Sequence, residues 1–126
     1  MSSCGGQGRF GNCAIRALAC SVFAKKHNLK ISYHREDDIK KLGDNVLFYG
    51  TTVHNNTVDL NDHNYISHFE QGNVNIKGKG YFQTKDISKL IHEHLNSKDV
   101  MNSIKSKNKH SARYNNNNDC FVHIRL

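Results

Sequence analysis

The sequence predicts an α/β fold in which helices cover a mainly parallel sheet in Rossmann-like layers. Two observations support this prediction. Short apolar segments alternate with segments of helical periodicity, and the links between them are short. A glycine-rich stretch at residues 5–11 also passes directly into the first helix, as in folds whose strand-to-helix turns bind ligands. The chain of 126 residues is long enough for one such domain, so we assign residues 1–126 to a single domain.

The first half of the chain predicts one long helix and several short elements. Apolar residues recur at helical spacing over residues 14–23, with Asn12 as the expected N-cap and basic residues near residue 27 at the expected end. Residues 29–33 alternate apolar and polar side chains and predict a strand. The next elements are a helix over 37–42 that ends at Gly43, a strand over 46–49 and a strand over 58–60. Residues 1–4 are short and polar, and no strand is predicted there.

The second half predicts three further helices. Asn61 or Asp62 caps a short helix that runs through Phe69, and residues 73–76 form the next strand. Thr84 caps the following helix, whose apolar stripe has helical spacing. The stripe consists of Ile87, Leu90, Ile91 and Leu95. The remaining predictions are a helix around residues 100–104, a polar loop over 105–119 and a strand over 120–126.

The charge of the chain indicates an anionic partner. The formal net charge is +7 and the isoelectric point is about 9.3, which favours nucleic acid, a membrane surface or a phosphorylated small molecule. The lysines are spread over several predicted elements, and no basic stripe carries the interleaved aromatic residues that stack bases. We therefore do not expect nucleic acid as the main partner. A small basic binding module for phosphorylated ligands or nucleic acid remains the alternative function.

The cysteines and the apolar segments exclude several other classes. Cys4, Cys13, Cys20 and Cys120 form no CxxC pair and have no zinc-like spacing with histidine, so we expect reduced thiols and no metal site. No apolar stretch is long enough to span a membrane, and no basic-then-apolar signal peptide is present. The sequence thus predicts a cytoplasmic protein without a membrane span.

The glycine-rich turn is a candidate anion site. Glycines allow positive φ angles and close approach of the backbone, and the first N–H groups of a helix have no partners within the helix. The candidate substrate-binding residues are Gly8, Arg9, Phe10, Gly11 and Asn12. A flexible terminus would also explain the glycines, and for Arg9 a side chain that only faces solvent is an equal alternative.

Three segments together resemble a known family. Gly8-Arg9-Phe10-Gly11-Asn12 opens the first helix, Gly80-Tyr81-Phe82-Gln83 precedes a later helix, and His123-Ile124-Arg125 lies near the end of the printed sequence. This combination resembles the fucosyltransferase superfamily, and most closely the α-1,2-fucosyltransferases of glycosyltransferase family 11. Members of that family are more than twice as long. The resemblance therefore implies that the chain corresponds to the N-terminal half of a GT-B-type glycosyltransferase.

The resemblance implies a reaction and a set of residues. Such enzymes transfer fucose from GDP-fucose to a glycan hydroxyl with inversion and without an obligatory metal or cofactor. Arg125 matches the family arginine, whose guanidinium stabilises charge on the β-phosphate of the leaving group. His123 would lie on the same strand face and hydrogen-bond the nucleotide or support the arginine. These two are the candidate catalytic residues, with a core histidine as the alternative for His123.

Two departures from the family pattern limit the expected activity. Cys13 stands where the family has glutamine, and Leu126 is the last residue printed, so the Gly-Asp that completes the His-x-Arg motif is missing. We therefore expect this polypeptide alone not to transfer fucose. Without the elements of the other half, we expect apolar sheet surface to be exposed, through which the chain would aggregate or form a dimer.

Overall fold

Four parallel strands and five helices make up the part of the chain that the structure describes. The computed structural model describes residues 1–6, 8–110, 118, 120 and 122–124. The elements are β1 (Ser2–Cys4), α1 (Phe10–His27), β2 (Ile31–Tyr33), α2 (Glu36–Lys40), β3 (Thr57–Leu60), α3 (Tyr65–Gln71), β4 (Asn75–Gly78), α4 (Lys85–Leu95) and α5 (Lys98–Lys107). The predicted α/β class with a parallel sheet is confirmed.

The strands lie in the order β2-β1-β4-β3, so β1 and β4 are the two central strands. In the register of the sheet, Ser3 of β1 pairs with Ser32 of β2 on one side and with Lys77 of β4 on the other. Lys77 in turn pairs with Asp59 of β3. Paired residues of parallel strands share a face of the sheet, so these four polar residues form one row across it.

The two faces of the sheet differ in polarity. The face that packs against the helices carries buried side chains, among them Cys4, Ile31, Tyr33, Leu60 and Ile76. On the other face Ser32, Asp59 and Lys77 are exposed and Ser3 is half-buried. Purely parallel sheets are usually covered on both faces. In the described part of this chain, the polar face is open.

Helix α1 begins earlier than predicted. Its N-cap is Arg9, with an extended backbone, rather than Asn12. Gly8 has a φ of +99°, a conformation that side chains rarely adopt, and this turn directs the chain into the helix at Phe10. The side chain of Asn12 instead accepts a hydrogen bond from the Gln83 amide at 3.3 Å. The helix ends as predicted at Asn28, which has a left-handed backbone.

A cluster of aromatic rings joins α1 to α3. The ring of Phe23, which is fully buried, lies 5.1 Å from His27, 5.6 Å from Tyr65 and 5.9 Å from Phe69, measured between centroids. The Tyr65 hydroxyl donates to the Ala19 carbonyl at 2.7 Å. Phe23 therefore anchors both helices in the core.

The prediction that residues 1–4 form no strand was wrong, because Ser2–Cys4 forms β1, one of the two central strands. The polar side chain of Ser2 is fully buried and accepts a hydrogen bond from the Ile76 backbone N–H at 2.9 Å. A buried hydroxyl with a partner costs little. Small residues also let α1 approach the sheet closely, so polarity and shortness did not prevent strand formation here.

The strand predicted over residues 46–49 is also wrong. Val46 and Leu47 are buried as an apolar strand would be, but the segment has no strand partner. Side chains satisfy its backbone instead. The Val46 carbonyl accepts from Ser21 and His94, the Phe48 N–H donates to the Ser21 hydroxyl, and the Phe48 carbonyl accepts from Tyr33.

The predictions near the end of the printed sequence need correction. The polar loop predicted over 105–119 begins later, because α5 continues to Lys107. In the strand predicted over 120–126, the described residues 120 and 122–124 lie outside any strand. Val122 and Ile124 are 77% and 74% exposed. Alternating apolar residues form a strand only where neighbours bury them, and no described residue buries these two side chains.

Helix α4 follows its prediction, since the Thr84 side chain accepts a hydrogen bond from the Ile87 N–H at 3.3 Å. In the described ranges, no helix is long and apolar enough to cross a membrane.

We expect His94 of α4 to make stability depend on pH. Burial lowers the pKa of His94 below its ordinary value of 6.5, and the charge of Lys25 lowers it further. The hydrogen bond to the Val46 carbonyl acts in the opposite direction but is the weaker effect. The unfolded chain therefore takes up a proton near pH 6.5 that the folded chain resists. The free energy of unfolding should fall as pH decreases below 6.5, until the folded form is also protonated.

Urea unfolding at pH 7.5, 6.5 and 5.5 measures this effect. His94→Gln keeps a donor for the Val46 carbonyl but does not titrate, so it should flatten the pH dependence. His92→Gln, on the exposed side of the same helix, is the control and should leave the dependence unchanged. If the free energy of unfolding changes equally with pH in wild type and in His94→Gln, His94 is not the source of the pH dependence.

Candidate functional site

The candidate site is a cavity of about 470 Å³ at the carboxyl ends of the two central strands. Parallel sheets generally bind ligands at this end, where loops leave the strands. The cavity continues from the loops onto the open polar face of the sheet. Its described lining consists of Ser3, Gly5, Gly6, Arg16, Lys77, Gly78, Lys79 and Tyr81.

Glycines form one wall of the cavity. Gly5 and Gly6 follow β1 directly, and Gly78 ends β4. A Cβ atom on Gly6 would lie 2.6 Å from Cδ2 of His34, so a side chain at position 6 would require the His34 ring to move. The wall is therefore backbone, which a ligand can approach more closely than side chains would allow.

Arg16 brings a positive charge to the base of the cavity from α1. Its side chain is only 9% exposed, yet the Nε atom has no hydrogen-bond partner among the described residues. The guanidinium carbon lies 4.7 Å from the ring centroid of Tyr81, within the range of a cation–π contact. Buried charged groups are normally paired, so an arginine held only by a ring face is unusual.

Two lysines add positive charge nearer the surface. Lys77 lies on the open face of the sheet beside Ser3 and makes no ion pair with any residue that the structure describes. Lys79 follows β4 and pairs with Asp59 at 3.6 Å, with both side chains mainly exposed. No acidic residue belongs to the described lining. The cavity thus carries a net positive field that favours an anionic ligand.

A pair of thiols lies beneath the cavity. Cys4 of β1 and Cys20 of α1 are both buried and free, and both lie near Gly78. A hydrogen bond from Cys20, helped by the charge of Arg16, holds the pKa of Cys4 below its ordinary value, although burial opposes this. The same hydrogen bond and burial raise the pKa of Cys20. The pair remains below the accessible surface and serves as packing between β1, β4 and α1.

The predicted substrate-binding residues lie beside this cavity rather than in its lining. Gly8 and Arg9 form the exposed turn before α1, and nothing lies within 4 Å of a Cβ built on Gly11. The Phe10 ring, partly exposed, stacks with Arg35 at 5.3 Å. Asn12 bonds Gln83, so two of the three motif segments, the glycine turn and Gly80–Gln83, lie side by side.

The candidate catalytic residues are not brought to the cavity in the described structure. His123 is exposed and outside the lining. Arg125 lies outside the described residues. The described part of the third motif segment, residues 123–124, therefore does not contribute to the cavity.

Sequence reasoning missed six residues of the described lining: Arg16, Lys77, Lys79, Tyr81, Ser3 and Gly78. One signal could have identified the first, because Arg16 is the only charged residue between Phe10 and Ala24, in a helix that is otherwise apolar or small. Lys77 and Lys79 flank Gly78 at the end of β4, so they share its position at the sheet edge. They were interpreted as scattered surface charge. Tyr81 belongs to the motif segment Gly80–Gln83, in which Tyr81 is 59% exposed and its neighbour Phe82 is the buried ring.

A second cavity, of about 540 Å³, lies where the loop over 44–49 meets α4 and α5. Its described lining balances Lys25 and Lys98 against Asp44 and Asp99, and its buried histidine, His94, already donates to Val46. It therefore offers less to a charged ligand than the first cavity. The described residues also contain no group of three or more histidine, cysteine or acidic residues that could hold a metal ion.

Comparisons of the chain with models of protein families, with curated proteins and with solved structures found no match. The chemistry of the site has to be inferred from the cavity itself, which combines a glycine wall, a buried arginine and two lysines at the carboxyl ends of β1 and β4.

Proposed function

We propose that this chain provides a nucleotide-sugar site of a fucosyltransferase-like glycosyltransferase and corresponds to the N-terminal half of a GT-B-type enzyme. One observation carries the proposal: a positively charged, glycine-walled cavity lies at the carboxyl ends of the two central parallel strands. Nucleotide ligands bind α/β sheets at this end because strand-to-helix turns present backbone N–H groups to phosphates. GDP-fucose is the proposed donor and a glycan hydroxyl the proposed acceptor.

The reaction class explains why positive charge is needed at this position. Transfer of a sugar from a nucleoside diphosphate leaves negative charge on the diphosphate, and fixed cations stabilise that charge. The motif residues His123 and Arg125 remain in the proposal as groups that complete the site in the intact enzyme. The contact between Asn12 and Gln83 supports the proposal, because two segments that carry the family resemblance meet beside the cavity.

Calorimetric titration of the purified chain with GDP-fucose, GDP and free fucose tests the proposal. We expect binding of GDP-fucose and GDP, no binding of free fucose, and no transfer to a galactoside acceptor. Lys77→Met, in the cavity, should weaken GDP-fucose binding severalfold. Lys89→Met removes the same charge from the exposed side of α4, outside the lining, and should not.

Three results would contradict the proposal. Absence of GDP-fucose binding would remove its basis. Equal losses of GDP-fucose affinity in Lys77→Met and Lys89→Met would show that the binding depends only on the net charge of the chain. Sustained fucose transfer by the chain alone would contradict its assignment as one half of an enzyme.

The charge of the chain favours a second candidate, a small basic module that binds phosphorylated ligands or nucleic acid without catalysis. The net charge of +7 supports this alternative. Titration with a single-stranded oligonucleotide at several salt concentrations separates the two functions. Tight, steeply salt-dependent binding that competes with GDP-fucose would favour the module.

A further inference from the structure

We infer that the cavity binds a diphosphate group, with the Arg16 guanidinium as the principal donor and Lys77 and Lys79 as the outer cations. The inference deepens the proposed function and rests on it in that both use the same cavity. It assigns the phosphate contacts to residues of α1 and β4, not to the glycine turn at residues 8–12 or to Arg125.

Arg16 carries the inference because its buried Nε atom has no hydrogen-bond partner among the described residues. A guanidinium removed from water loses hydration that hydrogen bonds normally replace. Arg16 is 9% exposed, its Nε has no partner among the described residues, and it makes no ion pair with them. A buried donor left in this state in a native protein needs a specific explanation, and a bound ion is one such explanation.

Tyr81 holds Arg16 in a way that leaves its donors available. The central carbon of the guanidinium lies over the face of the Tyr81 ring, 4.7 Å from the ring centroid. Arginine has five N–H donors in the plane of the group, and a cation–π contact supplies none of them with an oxygen acceptor. Arg16 belongs to the lining of the cavity, where a planar fork can bind two phosphate oxygens at once.

The two lysines indicate a ligand with more than one negative charge. Lys77 has no ion-pair partner within the described ranges, and the Lys79–Asp59 pair is exposed, so breaking it costs little. Three cations and no acidic side chain line the described cavity. A diphosphate matches this charge better than a single phosphate. Ser3, beside Lys77 in the sheet, adds a hydroxyl donor on the open face.

Inorganic pyrophosphate, titrated by calorimetry, is the probe that tests the inference. We expect wild type to bind pyrophosphate more tightly than orthophosphate. Arg16→Met keeps most of the apolar stem and should reduce the pyrophosphate affinity about 10- to 100-fold, because hydrogen bonds to charged groups are lost. The pyrophosphate affinity of Arg16→Lys should lie between those of wild type and Arg16→Met, because lysine keeps the charge but lacks the planar fork. Lys89→Met, which removes one charge outside the cavity, should change the affinity by less than about 3-fold.

Thermal unfolding separates a binding role from a structural one. If Arg16 serves the ligand, Arg16→Met should unfold at the same temperature as wild type or higher, because an uncompensated buried charge is removed. Pyrophosphate should raise the unfolding temperature of wild type but not of Arg16→Met. A lower unfolding temperature for Arg16→Met, with unchanged pyrophosphate affinity, would show a structural role and overturn the inference.

The remaining outcomes distinguish this inference from the proposed function. If wild type binds pyrophosphate through Arg16 but binds GDP-fucose no more tightly than pyrophosphate, the diphosphate site stands and the proposed function fails. If GDP-fucose binds and Arg16→Met does not weaken it, the proposed function stands and the diphosphate site fails. Equal affinities for orthophosphate and pyrophosphate, or equal losses in Arg16→Met and Lys89→Met, would also overturn the inference.

Discussion

Phe23→Ala is expected to lower the free energy of unfolding by about 3–5 kcal/mol. The ring is fully buried and contacts His27, Tyr65 and Phe69, so its removal leaves a cavity where α1 meets α3. Domains of this size are stable by only about 5–15 kcal/mol. The variant should therefore unfold at much lower urea concentration, as followed by far-ultraviolet circular dichroism.

Two comparisons make the Phe23 result specific. Phe23→Leu fills more of the space and should lose less stability than Phe23→Ala. Val53→Ala, at a side chain that is 54% exposed, should change the free energy of unfolding by less than about 0.5 kcal/mol. A loss below about 1 kcal/mol for Phe23→Ala would mean that the aromatic cluster is not the centre of the core.

Gly78→Ala is expected to cost about 1–3 kcal/mol through overpacking. The backbone of Gly78 is not left-handed, so alanine meets no conformational strain there. The added Cβ would lie 2.4 Å from the sulfur of Cys20, which is fully buried and packed against Cys4. Urea unfolding of the single variant measures the cost.

A double variant shows whether the sulfur is the cause. Cys20→Ala removes the atom that clashes, so Cys20→Ala/Gly78→Ala should be more stable than the sum of the two single changes allows, by about 1 kcal/mol or more. Gly11→Ala is the matched control. It lies near the start of α1 with nothing within 4 Å of its Cβ, and alanine there should stabilise the chain by about 0.5–1 kcal/mol. Strict additivity in the double variant would contradict the steric explanation.

The sequence predicted the elements whose signal is local. Helices α1 and α4 show clear periodicity, and Thr84 caps α4 as expected because a cap depends on a few adjacent residues. β1 escaped prediction because its burial comes from partners far along the chain, β2 and β4. Residues 46–49 are apolar like a strand, but the side chains of Ser21, Tyr33 and His94 satisfy their backbone. No pattern within the segment itself reports that.

The sequence indicated the region of the candidate cavity better than the residues that line it. The glycine-rich stretch was predicted as an anion site, and its first two glycines, Gly5 and Gly6, line the cavity, whereas the proposed binding residues 8–12 lie outside the lining. Arg16 and Tyr81 meet only because α1 and the β4–α4 loop pack together, a relation that arises from tertiary structure. The strand predicted over 120–126 failed for the complementary reason. Its alternation was clear, but its described apolar side chains are exposed.

The position of β1 at the centre of the sheet determines the order in which the chain can fold. Residue 3 pairs with residue 32 on one side and with residue 77 on the other. During synthesis on the ribosome, the first strand can therefore pair with β2 early, but its other edge stays unpaired until β4 emerges. Contacts this distant in sequence slow folding. The hydrogen bonds between β1 and β4 thus join strands that are synthesised far apart in time, and we expect them to form after the β1–β2 pairing.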